Sequence, residues 1–300
     1  MKKLLFIYNP KAGKALIKEK IGEIVEILSE KYEITIIPTK KAKDAIEIAK
    51  NRETKYDLIV CAGGDGTLDE VVKGISLSNF NTPIGYIPCG STNDVSNSIG
   101  LSKDIITATK DILYGEECLY DYGIFNDNIF VYVAAFGLFT DVTYDTNQDL
   151  KNALGHFAYV LEGAKRLSDI KSYHMKITYD GKTIEDDFIL GIISSSKSIG
   201  GFKVLEMLPN QNIQLDDGLF EVTLIKLPKN IQELNNAILY LTNINKTYEN
   251  SSLYSFSTSK LTIESKEYIP WTLDGEFGGN HQKIEIKNKN KGLKLIHYKD

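Results

Sequence analysis

The sequence predicts a two-domain protein, in which an α/β domain with a doubly wound, mostly parallel sheet precedes a β-rich, sandwich-like domain. The chain has 300 residues, which is enough for about two domains at the usual 100–200 residues each. Over the first part, short apolar runs alternate with amphipathic stretches, as in βαβ units; later, strand-like runs follow one another. We expect domains at residues 1–120 and 121–300, with the C-terminal end returning to the first domain.

Strands and helices alternate in the first part of the sequence. Short runs of apolar or β-branched residues that stop at turn residues predict strands, and stretches with apolar residues at helical spacing predict helices. The predicted strands are 4–8, 32–38, 56–62 and 84–87, and the predicted helices are 16–28, 42–50, 68–75 and 104–114.

The second part reads mainly as strands separated by turn residues, with two helical interruptions. The strand candidates are 129–136, 173–179, 188–194, 219–225, 260–264 and 283–286, and the helix candidates are 153–167 and 231–241. No long linker separates the two parts. We therefore expect two domains that face each other across a cleft.

Composition excludes several classes of protein. The net charge of −5 leaves no basic excess for general nucleic-acid binding. The longest nearly uncharged apolar run, residues 129–139, is too short for a spanning helix of about 20 residues, and no signal peptide is evident. We therefore expect a cytoplasmic protein. Because Arg52 and Arg166 are the only arginines, any phosphate chemistry must use lysine, metal or backbone N–H groups.

The sharpest motif is Gly-Gly-Asp-Gly-Thr at residues 63–67, directly after a buried-strand pattern and directly before a helix. Glycines at this edge of a parallel sheet let backbone N–H groups approach phosphate oxygens. The spacing matches neither the Rossmann fingerprint nor a Walker A loop. A plain glycine-rich turn is the alternative, although it leaves Asp65 unexplained, since that carboxylate would repel phosphate unless a metal or hydroxyl lay between them.

Two further loops are predicted at the same edge of the sheet, because they too follow strands and precede helices. They span residues 9–14 and 88–94 and offer glycine with hydroxyl, amide or ammonium donors. Each alone reads equally well as a turn. Together the three loops predict a phosphate-binding edge.

The second part contains two acidic turns that permit two interpretations each. Asp274 and Glu276 flank Gly275, which fits either a general base or a type I′ hairpin. Asp216-Asp217-Gly218-Leu219 fits either a turn or a hard-cation site built from a carboxylate and backbone carbonyls. Asp121, at the domain junction, reads as a solvated loop acid.

The four motifs together resemble the diacylglycerol kinase catalytic family, and the soluble bacterial diacylglycerol kinases within it. They are N-P-K-A-G-K at 9–14, G-G-D-G-T at 63–67, G-S-T-N-D at 90–94 and L-D-G-E at 273–276. The runs at 157–159 and 215–218 also fit that subgroup. The motif G-G-D-G-T alone is less specific, because NAD kinases and phosphofructokinases share it. The resemblance implies ATP-dependent phosphorylation of a lipid hydroxyl, with diacylglycerol giving phosphatidic acid, and a two-domain lipid kinase fold with the site in the interdomain cleft.

The resemblance also implies roles for particular residues. Glu276 would be the general base, and Asp65 would hold a catalytic Mg²⁺ or orient the attacking oxygen. A structural magnesium would use the Asp217 carboxylate with backbone oxygens near Gln214 and Leu219. The residues that would contact ATP are Asn9, Pro10, Lys11, Ala12, Gly13, Lys14, Thr39, Gly64, Asp65, Gly66, Thr67, Leu68, Asp69, Glu70 and Ser91.

Further links follow from the same resemblance. Asp94 and Asp216 or Asp217 would communicate with the magnesium through water, and Lys14 would pair with Asp121 across the cleft. Lys14 and magnesium would supply most of the countercharge. Asp69 departs from the family's usual Asn and adds a negative charge near the phosphates; Ser91 replaces a usual Thr and keeps the hydroxyl.

Several alternatives remain open from sequence. The acceptor could be a sphingoid base or phosphatidylglycerol, the enzyme could be an NAD kinase, or the chain could be a non-catalytic lipid-binding relative. The expected partners are a membrane lipid substrate, reached by reversible peripheral docking through apolar and lysine-bearing loops, and a second copy in a homodimer. No nucleic-acid partner is expected.

Overall fold

A computed structural model describes the chain over residues 1–12, 16–51, 55–78, 80–91, 93–137, 170–195, 214–242 and 252–298. The chain divides into two compact units. Unit 1 comprises Met1–Tyr120 and Lys291–Asp300, and unit 2 comprises Asp121–Asn290. The C-terminal residues therefore belong to the first unit, although the rest of the strand that contains them lies in the second.

Unit 1 is built on parallel strands. Strand β1 pairs in parallel with both β2 and β3, and β3 pairs in parallel with β4, so the spatial order is β2-β1-β3-β4. The strands are β1 Lys2–Tyr8, β2 Tyr32–Pro38, β3 Leu58–Gly63 and β4 Ile84–Pro88, followed by β5 Glu116–Phe125, whose second half lies in unit 2. The helices are α1 Ile17–Leu28, α2 Asp44–Lys50, α3 Asp65–Ser76, α4 Asp94–Ile99 and α5 Ile105–Tyr114.

The sequence of β3 explains its place in the middle of this sheet. All of its residues are buried, as expected for a parallel strand covered on both faces. Leu58, Val60 and Ala62 share one apolar cluster with residues of α1 and α5. Helix α3 packs closely on α2, since a Cβ at Gly74 would lie 2.5 Å from the carbonyl oxygen of Ile46.

Unit 2 is antiparallel in every strand pairing that the structure describes there. Its elements are β6 Asn128–Phe130, β7 Val133–Phe136, β8 Tyr173–Tyr179, β9 Lys182–Ser194, β10 Phe220–Lys226, α6 Ile231–Thr242, β11 Leu253–Thr258, β12 Lys260–Leu273 and β13 Glu276–His297, of which the last residues return to unit 1. Strand β9 pairs with β7 and β8, and both of these also pair with β12, so four strands close a ring of pairings.

The core of unit 2 is aromatic. Trp271 is fully buried, and its ring centroid lies 5.0 Å from that of Phe136 and 5.1 Å from that of Phe125. Tilted aromatic contacts of this kind add to the free energy gained from burial alone. This cluster includes Trp271 and Leu273 at the end of β12, where the L-D-G-E motif begins.

The two-domain fold and the antiparallel second half confirm the prediction at that level. The predicted strand at 129–136 is divided into β6 and β7, and β12 and β13 extend far beyond the predicted 260–264 and 283–286. The predicted helix at 153–167 and the run at 157–159 lie outside the described residues. In the described part of the chain, no helix has both the length and the apolar character needed to cross a membrane.

Candidate functional site

The loops predicted at one edge of the sheet do start side by side in unit 1. Tyr8 at the end of β1 lies opposite Pro38 of β2 and Ala62 of β3, and Gly63 lies opposite Pro88 of β4. The loops that follow these strands therefore start from one edge of the sheet. Between β1 and β3 the order of the strands reverses, and this switch point is where open parallel sheets bind ligands. The Asn9 loop and the Gly63-Gly64 loop both emerge there.

The Asn9 loop is organised by its own backbone and by its neighbours. The N–H of Asn9 donates to the carbonyl of Ala62 at 2.9 Å, and the Asn9 side-chain oxygen accepts from the N–H of Lys11 at 2.9 Å. Next to it, the N–H of Thr39 donates to the carbonyl of Tyr8 at 2.9 Å. These bonds hold Asn9 beside the end of β3 and Thr39 beside the end of β1. The predicted contacts Gly13 and Lys14 lie outside the described residues.

The glycines of the two remaining loops allow those loops to touch. A Cβ at Gly90 would lie 2.6 Å from the Cα of Gly64, and a Cβ at Gly63 would lie 2.5 Å from the Thr67 side chain. The N–H of Cys89 donates to the carbonyl of Gly63 at 2.7 Å. We predicted these glycines for close approach to phosphate. The structure adds a reason that sequence did not provide, which is the contact between the loops themselves.

Asn93 fixes Gly90 within its own loop, and sequence reasoning gave it no role. Its side-chain oxygen accepts from the N–H of Gly90 at 2.8 Å, and its amide donates to the Gly90 carbonyl at 2.9 Å. Asn93 is buried and has a φ of 54°, a left-handed conformation that asparagine tolerates better than most residues. Its place in the G-S-T-N-D motif was the available signal.

Asp65 joins the G-G-D-G-T loop to the start of α4. Its carboxylate accepts from the N–H groups of Asp94 at 2.9 Å and Val95 at 3.3 Å. Burial raises its pKa to about 6, and repulsion from Asp94 adds to this, while the backbone donors act in the opposite direction. The side chain predicted to serve metal or substrate is therefore also a structural link between two loops.

Several predicted nucleotide contacts have other structural roles. Leu68 is buried in the core, and the N–H groups of Thr67 and Leu68 both donate to the carbonyl of Gly64. The Glu70 carboxylate accepts from the N–H groups of Lys43 and Ala45, at 2.7 and 3.0 Å, and so stabilises the start of α2. The contacts of Leu68 and Glu70 with ATP stay predictions, and any such contact must be compatible with these structural roles. Gly64, Asp65 and Gly66 start α3, where no side chain caps the helix.

Three further predicted contacts of this edge differ in exposure. Asp69, the departure from the family pattern, is partly buried on α3, and Ser91 is exposed beside Gly90. Lys11 is exposed in the Asn9 loop. The edge thus offers a lysine, a serine hydroxyl and the start of a 12-residue helix, which together suit an anionic ligand.

In unit 2 the L-D-G-E motif forms a two-residue hairpin between β12 and β13. Asp274 and Gly275 have φ values of 50° and 87°, which fits a type I′ turn, and Leu273 pairs with Glu276 across it. The hairpin interpretation is thus correct, and it does not compete with a general base. Glu276 is exposed directly after the turn.

The two carboxylates of this hairpin have different environments. Asp274 is buried, and its carboxylate accepts from the N–H groups of Val131, Tyr132 and Val133 at 2.5, 2.9 and 2.9 Å. Three backbone N–H groups thus occupy the oxygens of this carboxylate inside the fold. Of the two acids, Glu276 is the one available to a substrate.

The acidic turn at 216–219 is anchored by Asp121. Asp121 is buried, and its carboxylate accepts from the N–H of Gly218 at 2.7 Å and from the Asn290 side chain at 3.2 Å. Its own N–H donates to the carbonyl of Leu215 at 2.7 Å. The interpretation of Asp121 as a solvated acid was wrong, since it holds a loop within unit 2. Its pairing with Lys14 stays a prediction.

The turn fits the chemistry expected of a magnesium site. Gln214, Asp217 and Leu219 are exposed in one short loop, and they bring a carboxylate and backbone carbonyls, the hard oxygen ligands that Mg²⁺ prefers. One Asp217 oxygen accepts from the N–H of Leu219 at 2.9 Å, which fixes the side chain over the turn. No cluster of three His, Cys, Asp or Glu side chains forms in the described ranges, so such a site would depend on carbonyl oxygens.

Comparison with known proteins identifies the class to which this site belongs. Residues 3–123 match the diacylglycerol kinase catalytic domain. A diacylglycerol kinase of Staphylococcus carnosus is 33% identical over 280 residues, which is 93% of this chain and 90% of that protein. The chain therefore belongs to the diacylglycerol kinase family, a class of lipid kinases.

Another relative and two solved structures are similar to this chain over 93% or more of its length. A diacylglycerol kinase of Bacillus subtilis is 30% identical over 93% of this chain and 91% of its own length. A solved structure from Bacillus anthracis strain Sterne has a TM-score of 0.81 at 25% identity, covering 99% of this chain and 97% of the other. A second structure from that strain, described as a diacylglycerol kinase, has the same fold with a TM-score of 0.75 at 24% identity.

Proposed function

We propose that this protein transfers the γ-phosphoryl group of ATP to the hydroxyl of diacylglycerol and so forms phosphatidic acid for phospholipid metabolism. The observation that supports this most strongly is the 33% identity to a named diacylglycerol kinase over 93% of the chain. The geometry agrees with it, since the hairpin presents Glu276 to solvent and fixes Asp274 in the interior.

The nucleotide binds, in this proposal, at the edge of the unit 1 sheet. Its phosphates lie at the switch point between β1 and β3, against the start of α3 and the loop from Asn9 to Lys14. Thr39 and Ser91 contact the nucleotide from the neighbouring strand ends. Lysine supplies the positive charge there, because the chain has almost no arginine.

Glu276 is the general base of the transfer. Its carboxylate accepts the proton of the lipid hydroxyl while the oxygen of that hydroxyl forms a bond to the γ-phosphorus. The bond from the γ-phosphorus to the oxygen that bridges the β- and γ-phosphates breaks, and ADP leaves with that electron pair. General-base catalysis of this kind contributes roughly 10²–10⁴-fold to the rate.

Magnesium has two proposed positions. When bound with ATP, Mg²⁺ neutralises charge on the phosphate oxygens, and Asp65 is the residue of unit 1 that would hold it or orient the acceptor oxygen. A second ion, with a structural role, would be bound by Asp217 and the carbonyl oxygens of Gln214 and Leu219. The hard oxygen ligands of the 214–219 turn support that second position.

The acceptor is a membrane lipid, so the protein must reach a bilayer surface. We propose reversible docking through exposed lysine and apolar side chains of unit 2, where Tyr268 and Phe277 are 67% and 52% exposed. Co-sedimentation with vesicles tests this. Binding that does not increase with the anionic lipid content would exclude the electrostatic part.

The decisive experiment measures ³²P transfer from ATP with Mg²⁺ to a panel of lipids in mixed micelles. We expect labelled phosphatidic acid from the wild type and at least a 100-fold lower rate from Glu276→Gln. Glu267→Gln is the matched control, since Glu267 is another exposed glutamate, on β12 of the same unit. Labelling of a sphingoid base, phosphatidylglycerol or NAD instead would replace the acceptor. ATP binding without labelling of any acceptor would identify a non-catalytic relative.

A further inference from the structure

We propose that Asp274 is a positioning residue, which fixes the Glu276 carboxylate by attaching the tip of the hairpin to residues 131–133. This proposal rests on the proposed role of Glu276 as the base. Asp274 precedes Glu276 by two residues, and between them stands only Gly275, which is exposed. Because only one residue separates them, a displacement of Asp274 also displaces the backbone of Glu276.

The attachment is built from consecutive backbone donors. The N–H groups of Val131, Tyr132 and Val133 all point at the Asp274 carboxylate, at 2.5, 2.9 and 2.9 Å. In return, the N–H of Asp274 donates to the carbonyl of Val133 at 2.9 Å. A neutral amide in place of the carboxylate offers one acceptor oxygen and turns an NH₂ group toward donors. Asn is therefore close in shape but cannot reproduce these bonds.

The segment that receives Asp274 is itself held in place. The Ser195 hydroxyl donates to the carbonyl of Val131 at 3.0 Å, and the Ser194 hydroxyl donates to the carbonyl of Tyr132 at 2.9 Å. Both serines are buried at the end of β9. Residues 131–133 are thus held by two serine hydroxyls at their carbonyl groups as well as by the Asp274 carboxylate at their N–H groups.

A second anchor lies on the other side of Glu276. The register of β12 and β13 shifts between Trp271 and Thr272, which leaves Gly278 in a bulge. The Nε2 atom of His281 lies 3.0 Å from the carbonyl oxygen of Gly278, and the His281 ring packs edge-on against Phe125. Bulges of this kind re-aim side chains next to functional sites. Glu276 therefore sits between two fixed points, Asp274 and Gly278.

The test is a double-mutant cycle measured with the ³²P assay. We expect Asp274→Asn to lower kcat about 100-fold with the KM for ATP changed less than about 3-fold, as a small misplacement of a catalytic group does. In the Glu276→Gln background the same change should cost less than about 3-fold, because the group that it positions is already gone. Asp104→Asn is the matched control, because it makes the same substitution at a carboxylate of unit 1 that accepts the Thr107 N–H at 2.8 Å, and it should leave kcat within about 3-fold. If Asp274→Asn lowers kcat by the same factor in the wild type and in the Glu276→Gln background, the proposal is overturned.

Hydrogen exchange separates this proposal from the proposed function. Even if the wild type labels no lipid, Asp274→Asn should accelerate amide exchange at residues 131–133 and 274–279 and leave unit 1 unchanged. Unchanged exchange at these residues would show that Asp274 does not hold the hairpin. If Asp274→Asn does not fold, His281→Ala tests the second anchor in the same cycle. We expect the same non-additive loss with Glu276→Gln, and a multiplicative loss would overturn the proposal.

Discussion

Asp65, Asp121 and Asp274 direct their carboxylates at main-chain N–H groups. The donors lie on other segments of the chain, so each acid connects parts that are distant in sequence. A buried carboxylate that accepts such bonds remains ionised more easily than one left without them. Acidic side chains in these motifs therefore have two kinds of role. Glu276 is exposed and is available to a substrate, whereas Asp274 is buried and stabilises the structure.

The raised pKa of Asp65 predicts how stability changes with pH. Its pKa in the folded protein, about 6, is above the ordinary value of 3.8, so the folded state binds this proton more tightly than the unfolded chain does. The contribution of Asp65 to the free energy of unfolding therefore falls as the pH rises through this interval. Between pH 3.8 and about 6, we expect the free energy of unfolding of the wild type to fall by on the order of 2 kcal/mol relative to that of Asp65→Asn. Urea unfolding of both proteins at a series of pH values measures the difference.

The baseline of this comparison is set by a lost hydrogen bond. Asn at position 65 cannot accept from both Asp94 and Val95, so the lost hydrogen bond lowers the stability of the variant by an amount that does not depend on pH, and the pH-dependent change of the wild type is added to this offset. Only the change of the stability difference with pH reports on the protonation of Asp65. Stability curves that run parallel between the two proteins would show that Asp65 titrates in its ordinary range.

At this scale the sequence predicted residue types better than residue roles. Asp-Gly predicted the turn that the structure contains, because this signal is local. The role of Glu276 as the base, taken from the L-D-G-E motif, stays a prediction. The motif around Leu68 and Glu70 did not indicate that Leu68 lies in the core or that Glu70 binds the start of α2, where Ala45 is 25 residues earlier in the chain. A side chain's partner across such a distance is set by packing, which no local pattern records.

At the scale of elements, the contact between two edge loops predicts a matched pair of glycine variants. In Gly90→Ala the new Cβ would lie 2.6 Å from the Cα of Gly64, and backbone cannot move aside cheaply. We expect a loss of about 1–3 kcal/mol in stability and a higher KM for ATP. Gly22→Ala on α1 is the control, since nothing lies within 4 Å of the new Cβ. That variant should gain up to about 1 kcal/mol.

Urea unfolding and ATP titration distinguish these outcomes. Equal stability and equal KM for ATP in Gly90→Ala and the wild type would mean that the loops separate without cost. In that case the glycines would serve only the approach of a ligand, as the sequence alone indicated.

The 214–219 turn predicts a link between Asp121 and magnesium. Asp121→Ala removes the acceptor of the Gly218 N–H, which should cost about 1–3 kcal/mol and loosen the loop that contains Asp217. If the turn binds Mg²⁺, saturating MgCl₂ should raise the Tm of the wild type and raise that of Asp121→Ala much less. Scanning calorimetry with and without EDTA measures both. An equal rise in the two proteins would place the ion elsewhere.

Elements with strong local signals were predicted, and elements that depend on distant contacts were not. Strand β8 is found at the predicted 173–179, since its alternation is clear. Helix α4 was not predicted, because it has six residues, begins after the left-handed Asn93, and is held at its start by Asp65, 29 residues away. Isolated helices that short are not stable on their own sequence.

At the scale of the whole molecule, β13 makes unit 1 discontinuous in sequence. Its early residues pair with β12 in unit 2, and Leu295 pairs in parallel with Ile84 of β4 in unit 1. The pattern of alternating residues in β13 shows only that a strand is present. Which sheet each part of the strand joins depends on the fold around it, so sequence indicated the return of the C-terminus without giving its partner.

This return predicts that unit 1 needs the C-terminal residues in order to fold. Leu293, Leu295 and His297 are 4%, 1% and 4% exposed. Burial of each leucine contributes about 1.5–3 kcal/mol, and a whole domain is stable by only about 5–15 kcal/mol. We therefore expect a chain ending at Asn290 to lose most of its cooperative unfolding transition and its soluble yield. A chain ending at Tyr298 is the control and should match the full length in Tm. Calorimetry of the three purified proteins provides the comparison. A Tm within a few degrees of the full length for the chain ending at Asn290 would show that β4 is stable at the edge of its sheet without β13.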